Sequence, residues 1–490
     1  MLWEGRFVQS IMNAKENVLS SFVWKFGERI AAQLVSTIVS IVLARLLMPE
    51  DYGTVAIVTV IISLCNAFVV GGFGNALIQK SDASAADFSS MFYVSVVTSI
   101  ALYVGLFFVA DPIAEYYKQD VLCPIIRVMG LRIPIAGVNS IQHAYIARNM
   151  QFKKFFFSTL FGTIASAFVG IGMAMNGCGP WALVGQYLTN VTIDTIVLFF
   201  TSGWKLQRMF DATAVKKMMP FSLKLMGATL LDSFFNEIRS IIIFTKYSSA
   251  DLSMYENGKK YPNLIITNVN TAIGTVLFPA MSNVQADTKQ LRGFMKKTTR
   301  FSTFIMAPLL CGLFAVAPRF ISVLLTDKWL PSVPYIQITC CMCIFYPIHT
   351  INIQAMNAIG ESGKTLKLEL IKKTINVIVL IVSMNFGVLG IAFGSLIISL
   401  LSTWINAFYG KRYFGYSFGK QIADIAPFLF MAILMAVTVA LCDQNLQFNS
   451  WAILGVDILL GAMIYLLLCL IFRIEELSVF LRLIKKVISK

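Results

Sequence analysis

The chain has 490 residues, of which 57% are hydrophobic and only 13% are charged, and its formal net charge at pH 7 is +15. Soluble domains are typically about 25% charged, so this composition excludes an ordinary soluble protein and indicates a protein that crosses the membrane many times. A basic excess can indicate nucleic-acid binding, but cytoplasmic loops of membrane proteins collect Lys and Arg, so no nucleic-acid partner is expected.

Apolar segments long enough to cross a bilayer follow one another along the chain. A spanning helix needs about 20 mainly apolar residues, and fourteen segments meet this criterion. Their approximate extents are 23–47, 54–78, 88–110, 122–147, 155–176, 180–202, 219–245, 252–279, 299–325, 333–358, 366–385, 387–409, 421–442 and 450–472. The pattern predicts an all-α polytopic membrane protein with about 14 transmembrane helices.

The basic residues assign each predicted loop to one side of the membrane. With the N-terminus in the cytoplasm, 29 of the 40 Lys and Arg residues fall in cytoplasmic segments and seven fall in outer segments. Because cytoplasmic loops are enriched in basic residues, both termini are expected in the cytoplasm. The outer loops are all short, which disfavours a membrane polysaccharide polymerase or ligase, since such an enzyme would be expected to fold a catalytic loop there.

A sequence pattern at the end of the first predicted span recurs roughly 200 residues later. Residues 41–53 (IVLARLLMPEDYG) and 242–253 (IIFTKYSSADLS) each contain an apolar helix end, a basic residue and an Asp close to a small residue. The recurrence predicts two six-helix lobes related by a pseudo-two-fold axis along the membrane normal. The predicted N-lobe is 1–210 and the C-lobe is 211–415, and 416–490 form a C-terminal helix pair with a basic cytoplasmic tail.

Several basic residues lie inside the predicted spans, where a charge is costly unless it faces a cavity or a partner. The guanidinium group presents donors that match phosphate oxygens. The candidate substrate-binding residues are Arg29, Gln33, Arg127, Arg132, Arg239 and Lys260. Other roles remain open, since Arg29 can extend to the cytoplasmic surface. Arg127 and Arg132 can lie at the outer interface, and Arg239 can pair with an acid.

Acidic residues inside the predicted spans are candidates for ion coupling, because a carboxylate in a cavity can exchange a proton or a sodium ion. The candidates are Glu237, Glu28, Asp232 and Asp194. A static ion pair, Glu237 with Arg239 or Glu28 with Arg29, is the alternative. His143 and His349 lie in corresponding spans, and we expect buried, hydrogen-bonded histidines rather than a proton relay.

Motifs for catalysis or cofactor binding are not apparent. None of the nine cysteines has the spacing of a zinc site, and Cys340, Cys341 and Cys343 lie in an apolar run where buried free thiols are expected. No nucleotide-binding loop and no nucleophile motif are visible. We therefore expect no metal, no other cofactor and no enzymatic activity.

Five short segments are similar to a known family. They are LARLLMPEDYG (43–53), ALIQKSD (76–82), GPWALVGQ (179–186), VLFPAMSNVQAD (276–287) and NAIGESGKTLKLE (357–369). Through them the chain resembles bacterial polysaccharide flippases, the Wzx/WzxC-like branch of the MOP (multidrug/oligosaccharidyl-lipid/polysaccharide) superfamily. The resemblance extends over predicted spans 1 to 12. Ser253 is a departure, because the branch usually has Gly before the Met-Tyr step.

The resemblance implies a two-lobe flippase of the bacterial inner membrane. It implies that an undecaprenyl-diphosphate-linked oligosaccharide moves from the cytoplasmic to the outer leaflet by alternating access, for the synthesis of surface polysaccharide such as O-antigen, lipopolysaccharide or capsule. Implied partners are this substrate and membrane lipids, with H+ or Na+ and polysaccharide polymerase machinery as candidates. The alternative is a drug/cation antiporter of the same superfamily, which would need an acidic, aromatic-lined cavity rather than a basic one.

Overall fold

The computed structural model describes residues 32–80, 82–283, 287–445 and 449–488, and within them the chain forms helices and connecting turns without a β-strand. The first helix, α1, spans Ala32–Leu46. The first half continues with α2 (Pro49–Gln79), α3 (Ala85–Tyr117), α4 (Leu122–Met129), α5 (Arg132–Arg148), α6 (Phe152–Met175), α7 (Trp181–Thr201) and α8 (Ala212–Lys246). The second half contains α9 (Ser249–Asn283), α10 (Thr288–Leu325), a 3-10 helix (Asp327–Ser332), α11 (Val333–Cys343), α12 (Tyr346–Ala358), α13 (Ser362–Ser383), α14 (Gly387–Phe414), α15 (Phe418–Asn445), α16 (Ser450–Ile471) and α17 (Glu475–Ile488).

Each predicted span overlaps a described helix or an interrupted pair of helices. In the described part of the chain, nine helical segments are long and apolar enough to cross a membrane, with mean hydropathies from 1.3 to 2.5, and one of them is α4 and α5 taken together. The segments Asp327–Cys343 and Tyr346–Ala358 add a tenth if they are taken as one span bent by 41°. The protein is therefore an all-α, multi-pass membrane protein as predicted, and the helix order is compatible with fourteen spans.

Large apolar side chains cover the outer surfaces of these helices. Phe168 is 76% exposed, Phe200 is 79% exposed and Leu459 is 72% exposed. In water such a surface would be a liability for aggregation. Contact with the hydrocarbon core of a bilayer accounts for it instead, because lipid tails are as apolar as these side chains.

The two repeat-related helices α2 and α9 each have an Asp at their third position that bonds to the residue just before the helix. In α2, the Asp51 carboxylate accepts from the backbone N–H of Met48 at 3.1 Å. In α9, the Asp251 carboxylate accepts from the hydroxyl of Ser248 at 2.6 Å, and the Asp251 backbone N–H donates back to that hydroxyl at 3.0 Å. These contacts satisfy first-turn groups that have no partner inside the helix. The matching Asp residues of the sequence repeat are therefore helix-start residues.

Aspartates also begin α8 and α10. The Asp211 side chain accepts from the backbone N–H of Thr213 at 2.8 Å. The Asp287 side chain accepts from the backbone N–H groups of Lys289 and Gln290 at 2.8 and 3.1 Å. These backbone donors, that of Gln290 first, hold the pKa of the Asp287 carboxyl below its usual value. Both residues are N-caps of the kind that stabilises a helix start.

The predicted fourth and tenth spans are interrupted in a similar way. The fourth span breaks between Met129 and Arg132, and the tenth breaks between Cys343 and Tyr346. A proline follows each break, Pro134 in α5 and Pro347 in α12. Proline has no N–H to donate to the carbonyl four residues earlier, so one backbone hydrogen bond of the regular helix is missing at each break. This shared feature agrees with the predicted internal repeat.

The chain divides into two compact units, Met1–Ser253 and Met254–Lys490. In the first unit, α2 packs against α5 and α8, α3 packs against α5, and α6 pairs with α7. Its buried core is Phe73, Leu77, Phe88, Met91, Ile141, Ala144, Ala214, Val215, Met218 and Met226. Arg148 at the end of α5 donates to the carbonyl oxygens of Leu77, at 2.8 Å, and Lys80. It therefore caps the last turn of α2.

In the second unit, α10 packs against α15 and α16, and α13 pairs with α14. One core cluster joins α10, α15, α16 and α17, and includes Phe304, Phe428 and Tyr465. The bidentate ion pair between Arg300 and Glu476, with N–O distances of 2.5 and 3.1 Å, attaches α17 to α10. The amphipathic C-terminal helix is thus part of the packed unit.

The two compact units have other boundaries than the two lobes that the sequence repeat predicts. Helix α8 begins the predicted C-lobe, but it packs on α2 and α3 within the first unit. A repeat boundary records where a sequence pattern starts again, whereas a packing unit records which helices are in contact. The divisions 1–210, 211–415 and 416–490 therefore stay predictions about the repeat.

Candidate functional site

A cavity of about 490 Å³ lies inside the first unit, between α2, α5, α6 and α7. Its polar lining side chains are Asn75, Asn139, Ser140, His143 and Thr159, and its aromatic ones are Phe152 and Phe155. A mostly apolar cavity with a few convergent polar groups is the usual form of a small-molecule site. Because the polar groups come from three different helices, the packing of the unit creates this cavity.

Small residues let the helices around the cavity approach one another. A Cβ on Gly162 of α6 would lie 2.9 Å from the carbonyl oxygen of Asn190 in α7. A Cβ on Gly74 of α2 would lie 3.1 Å from the carbonyl oxygen of Ser140 in α5. Close approach of this kind is common where helices pack inside membranes. It brings Asp194, one turn after Asn190, next to the residues of α5.

Asp194 is the centre of a hydrogen-bonded cluster beside the cavity. Its Oδ2 accepts from Nδ2 of Asn139 at 2.8 Å and lies 3.2 Å from Nε2 of His143. Asn139 also donates to the Thr195 hydroxyl at 3.0 Å. The His143 side chain is 43% exposed, whereas the Asp194 side chain is only 15% exposed. The imidazole therefore lies between the cavity and the carboxylate.

The Asp194 carboxylate lies in a helix that is long and apolar enough to span the membrane, and a carboxylate there needs hydrogen-bond donors to be stable. Asn139 supplies one such donor, and His143 supplies a second when its Nε2 carries a proton. His143 contacts Asp194 at hydrogen-bond distance as expected, but the expectation that it is buried is wrong, because its side chain is 43% exposed and lines the cavity. His349 is bonded to Asn406, at 2.7 Å, in the second unit.

Arg132 at the start of α5 lies in a different environment. Its guanidinium carbon is 5.0 Å from the centre of the Tyr187 ring in α7. Its Nε is buried and has no hydrogen-bond partner among the described residues. A buried donor without an acceptor is unfavourable, so this arginine is suited to an anionic ligand.

Arg127, in contrast, is fully engaged by the protein. Its guanidinium contacts the Asp111 carboxylate at 2.5 Å and donates from Nε to the Phe107 carbonyl at 3.3 Å. The Cys123 thiol donates to the same carboxylate at 2.8 Å. The Asp111 side chain is 64% exposed. These contacts join α4 to the end of α3. They favour a role for Arg127 at the outer interface, which is one of the alternatives that the sequence left open.

The three candidates on α8 lie within eight residues of one another. Asn236 donates to the exposed Asp232 carboxylate at 3.2 Å. Glu237 and Arg239 are partly buried. The structure thus places all three on one helix of the first unit, without bringing them to the cavity of α2, α5, α6 and α7.

The remaining predicted residues lie elsewhere. The Gln33 amide donates to the Thr37 hydroxyl at 3.4 Å within α1. Lys260 of α9 lies 6.0 Å from the centre of the Tyr261 ring. Glu28 and Arg29 lie outside the described residues. No group of three or more potential metal ligands occurs in the part of the chain that is described.

Sequence reasoning missed several residues that the structure places at the site. Asn139 precedes His143 by four positions, so both lie on one face of a helix, and this spacing was a usable signal. Asn75 and Thr159 gave no such signal, because they line the cavity only through the packing of α2 and α6. Asp111 also went unnoticed as the partner of Arg127.

The chain is similar in sequence to known proteins of polysaccharide biosynthesis. Succinoglycan biosynthesis transport protein ExoT of Rhizobium meliloti (strain 1021) is 22% identical over 389 residues, which are 79% of this chain and 77% of ExoT. Lipopolysaccharide biosynthesis protein WzxC of Escherichia coli (strain K12) is 21% identical over 442 residues, 88% of each chain.

Solved structures show the same fold. The lipid II flippase MurJ in an inward closed conformation superposes with a TM-score of 0.73 at 16% identity, over 93% of this chain and 98% of MurJ. An inward-facing multidrug resistance MATE family transporter of the MOP superfamily gives a TM-score of 0.59 at 12% identity, over 78% of this chain and 94% of the transporter. The fold predicted from the sequence resemblance is confirmed.

A match of the amino-acid sequence to a family model identifies the family of this chain. A family model described as polysaccharide biosynthesis protein matches residues 42–334, more than half of the chain, from the end of α1 to the start of α11. This range contains the cavity, the Asp194 cluster and Arg132. The chain is a member of the polysaccharide biosynthesis protein family.

Proposed function

We propose that this protein is a flippase for a lipid-linked oligosaccharide. It moves an undecaprenyl-diphosphate-linked repeat unit from the cytoplasmic to the outer leaflet of the bacterial inner membrane by alternating access. The product serves the synthesis of a surface polysaccharide. The observation that carries the proposal is the family match over residues 42–334 on a chain with the fold of a lipid II flippase. Transport without catalysis agrees with a chain in which we identify no catalytic motif.

The diphosphate of the substrate is proposed to bind Arg132. The buried Nε of this arginine has no protein acceptor among the described residues, and a phosphate oxygen would supply one. The Tyr187 ring holds the guanidinium group by a cation–π contact, so its orientation is established before substrate arrives. Charge-assisted bonds from arginine to phosphate are roughly twice as strong as neutral hydrogen bonds.

The other basic candidates stay proposals of lower rank. Arg127 is occupied by Asp111, so it can bind substrate only if that ion pair opens. Gln33, Arg239 and Lys260 lie on α1, α8 and α9, and Arg29 precedes the described part of α1. These residues remain proposed contacts for the sugar or the diphosphate.

Ion coupling is proposed to centre on Asp194. Its carboxylate has a direct link to the cavity through His143. An H+ or Na+ that binds there would change the charge of the cluster and could bias the conformational cycle by its differential affinity for two states. Glu237 and Asp232 on α8 are proposed as secondary candidates, and Glu28, which lies outside the described residues, is a further one.

The proposed topology follows from the basic loops. Both termini lie in the cytoplasm, and the loop that ends α2 at Gln79 and the loop that ends α5 at Arg148 face the same side. Polysaccharide polymerase machinery on the outer side is a candidate partner that would use the flipped repeat unit. A fluorescent fusion at each terminus tests the orientation, since both fusions should report a cytoplasmic location.

A drug/cation antiporter is the second candidate function. Two features of the first-unit cavity favour it, the aromatic side chains of Phe152 and Phe155 and the acidic Asp194 behind His143. The hydrogen bonds from Asn139 and His143 both reach Oδ2 of that carboxylate, and its buried Oδ1 has no hydrogen-bond partner among the described residues. We rank the flippase first because the family match over residues 42–334 favours a role in polysaccharide biosynthesis.

Deletion of the gene followed by analysis of lipid-linked intermediates tests the two functions. The flippase proposal expects full-length repeat units on the undecaprenyl carrier to accumulate on the cytoplasmic side, with loss of surface polysaccharide. Re-expression of the intact chain should reverse both effects. Unchanged intermediates together with altered sensitivity to cationic drugs would reject the flippase and support the antiporter.

A further inference from the structure

Three charged residues meet at one end of the second unit, away from the proposed transport site. They are Arg319 near the end of α10, Asp443 near the end of α15 and Asp457 near the start of α16. The Arg319 Nε donates to the Asp443 carboxylate, and its terminal nitrogen donates to the Asp443 carbonyl oxygen at 3.3 Å. One arginine is thus bound to one aspartate at the contact between α10 and α15.

Asp457 has no comparable donor. The residue is only 1% exposed, and neither of its carboxylate oxygens has a hydrogen-bond partner among the described residues. Its charged neighbours are Asp443 on α15, which is close enough to share a hydrogen bond with it, and Arg319 on α10. The buried Asp457 carboxyl therefore lies next to a second acid, Asp443, which is already paired with Arg319.

The surroundings of Asp457 are apolar. Val316, Phe320 and Val323 on α10 pack with Val439 on α15 and Leu454 on α16. Leu454, Val439 and Val323 are three or four positions from Asp457, Asp443 and Arg319 respectively, so each charged residue shares a helix face with the apolar cluster. Gly461, one turn beyond Asp457, lies beside Val439 of the same cluster, since a Cβ there would be in ordinary contact with that side chain at 3.4 Å.

The charges of this site do not balance without a ligand. Two ionised carboxyls and one guanidinium leave one negative charge, and an uncompensated buried charge is strongly unfavourable. Two carboxyl groups in contact commonly hold one proton between them. We infer that Asp443 and Asp457 form a proton-binding site: Asp457 takes one proton from the solvent and donates the resulting O–H to the Asp443 carboxylate, which stays paired with Arg319.

The bound proton joins three helices. With it, α16 is hydrogen-bonded through Asp457 and Asp443 to Arg319 of α10, and the cluster is neutral. Without it, two carboxylates repel each other inside an apolar contact. Because the folded protein then binds a proton that the unfolded chain releases at neutral pH, stability decreases as pH rises. This proton site does not depend on the proposed transport function.

Thermal unfolding of the purified full-length protein in lipid nanodiscs, from about pH 5 to about pH 9, tests the inference. The wild-type melting temperature should fall by roughly 2 °C or more across this range relative to the variants Asp457→Asn and Asp443→Asn. Asp457→Asn keeps a donor to Asp443 without a titrating group, and Asp443→Asn leaves one carboxyl for one arginine. Asp327→Asn is the matched control, because Asp327 is an exposed acid at the same end, and it should keep the wild-type pH dependence.

Infrared spectroscopy provides the second measurement. The wild type should show a protonated-carboxyl carbonyl band at neutral pH that Asp457→Asn lacks, even if that variant is less stable. The inference is overturned if the wild type and both variants share one pH dependence, or if the band persists in Asp457→Asn. It is also overturned if sodium ions, rather than protons, restore wild-type stability at high pH.

Discussion

Gly53 in the first turn of α2 lies against the backbone of Ser249 at the start of α9, so closely that a Cβ on Gly53 would overlap the Ser249 carbonyl oxygen. The two residues belong to the matching segments 41–53 and 242–253 of the sequence repeat. The small residue that ends the PEDYG motif is therefore required by a contact between the two repeat-related helix starts. A side chain at this position cannot be accommodated without separating them.

We expect Gly53→Ala to destabilise the protein by about 1–3 kcal/mol, as overpacking usually does. In an exposed helix the same change would stabilise by roughly 0.5–1 kcal/mol. Gly105→Ala in α3 is the control, because a Cβ there meets no atom within 4 Å. Thermal unfolding in detergent measures both variants. Equal melting temperatures for the two would show that the α2–α9 contact is not maintained in the membrane protein.

Filling the first-unit cavity should stop transport without unfolding the protein. Ala136 lines the cavity, and Ala136→Trp would occupy much of its volume of about 490 Å³. We expect surface polysaccharide to be lost while the protein level in the membrane stays normal. Ile164→Trp on the exposed side of α6 is the matched control and should behave as wild type. A normal amount of surface polysaccharide in cells with Ala136→Trp would show that transport does not require this cavity.

Removal of the Asp194 charge should impair the transport cycle. Asp194→Asn retains a similar shape and hydrogen-bonding capacity, but it cannot exchange a proton or bind a cation as a carboxylate does. We expect at least about a tenfold decrease in transport, equivalent to about 1.4 kcal/mol. Asp120→Asn replaces an exposed acid between α3 and α4 and should have no effect. Transport is measured as the rate at which lipid-linked repeat units reach the outer leaflet, and wild-type rates in Asp194→Asn would exclude it from coupling.

Arg132 and Arg127 should respond differently to substitution. Arg132→Lys keeps the charge but loses the planar donor fork and its stacking on Tyr187, so we expect at least about a tenfold loss of transport in a folded protein. Arg127→Gln breaks the pair with Asp111. It should lower thermal stability and leave the transport rate per folded molecule nearly unchanged.

Transport assays on equal amounts of folded protein, alongside melting curves, distinguish these outcomes. A transport defect in Arg127→Gln, with Arg132→Lys unaffected, would reverse the assignment of the two arginines. A defect in both variants at unchanged stability would place both in the substrate path.

The sequence by itself determined the class of protein, the order of the spans and the matching helix starts. These features are local, since apolar length, proline position and an Asp at the third helical position act within one turn or one helix. The resemblance in segments such as 43–53 and 276–287 was sufficient to name the family and the fold. The pattern of apolar spans made Asp194 and Arg132 candidates, because a charged residue inside a span is costly unless it has a partner or faces a cavity.

Only the tertiary structure decided which charged residues meet. Asp194 bonds to Asn139 and His143, more than 50 positions earlier, and Arg127 bonds to Asp111 rather than to a cavity. Asp457 faces Asp443, although both are acids. These outcomes depend on the rotation of each helix about its axis and on the small residues that set helix separation. A charged residue in a span is therefore visible in the sequence, whereas its partner is determined by packing.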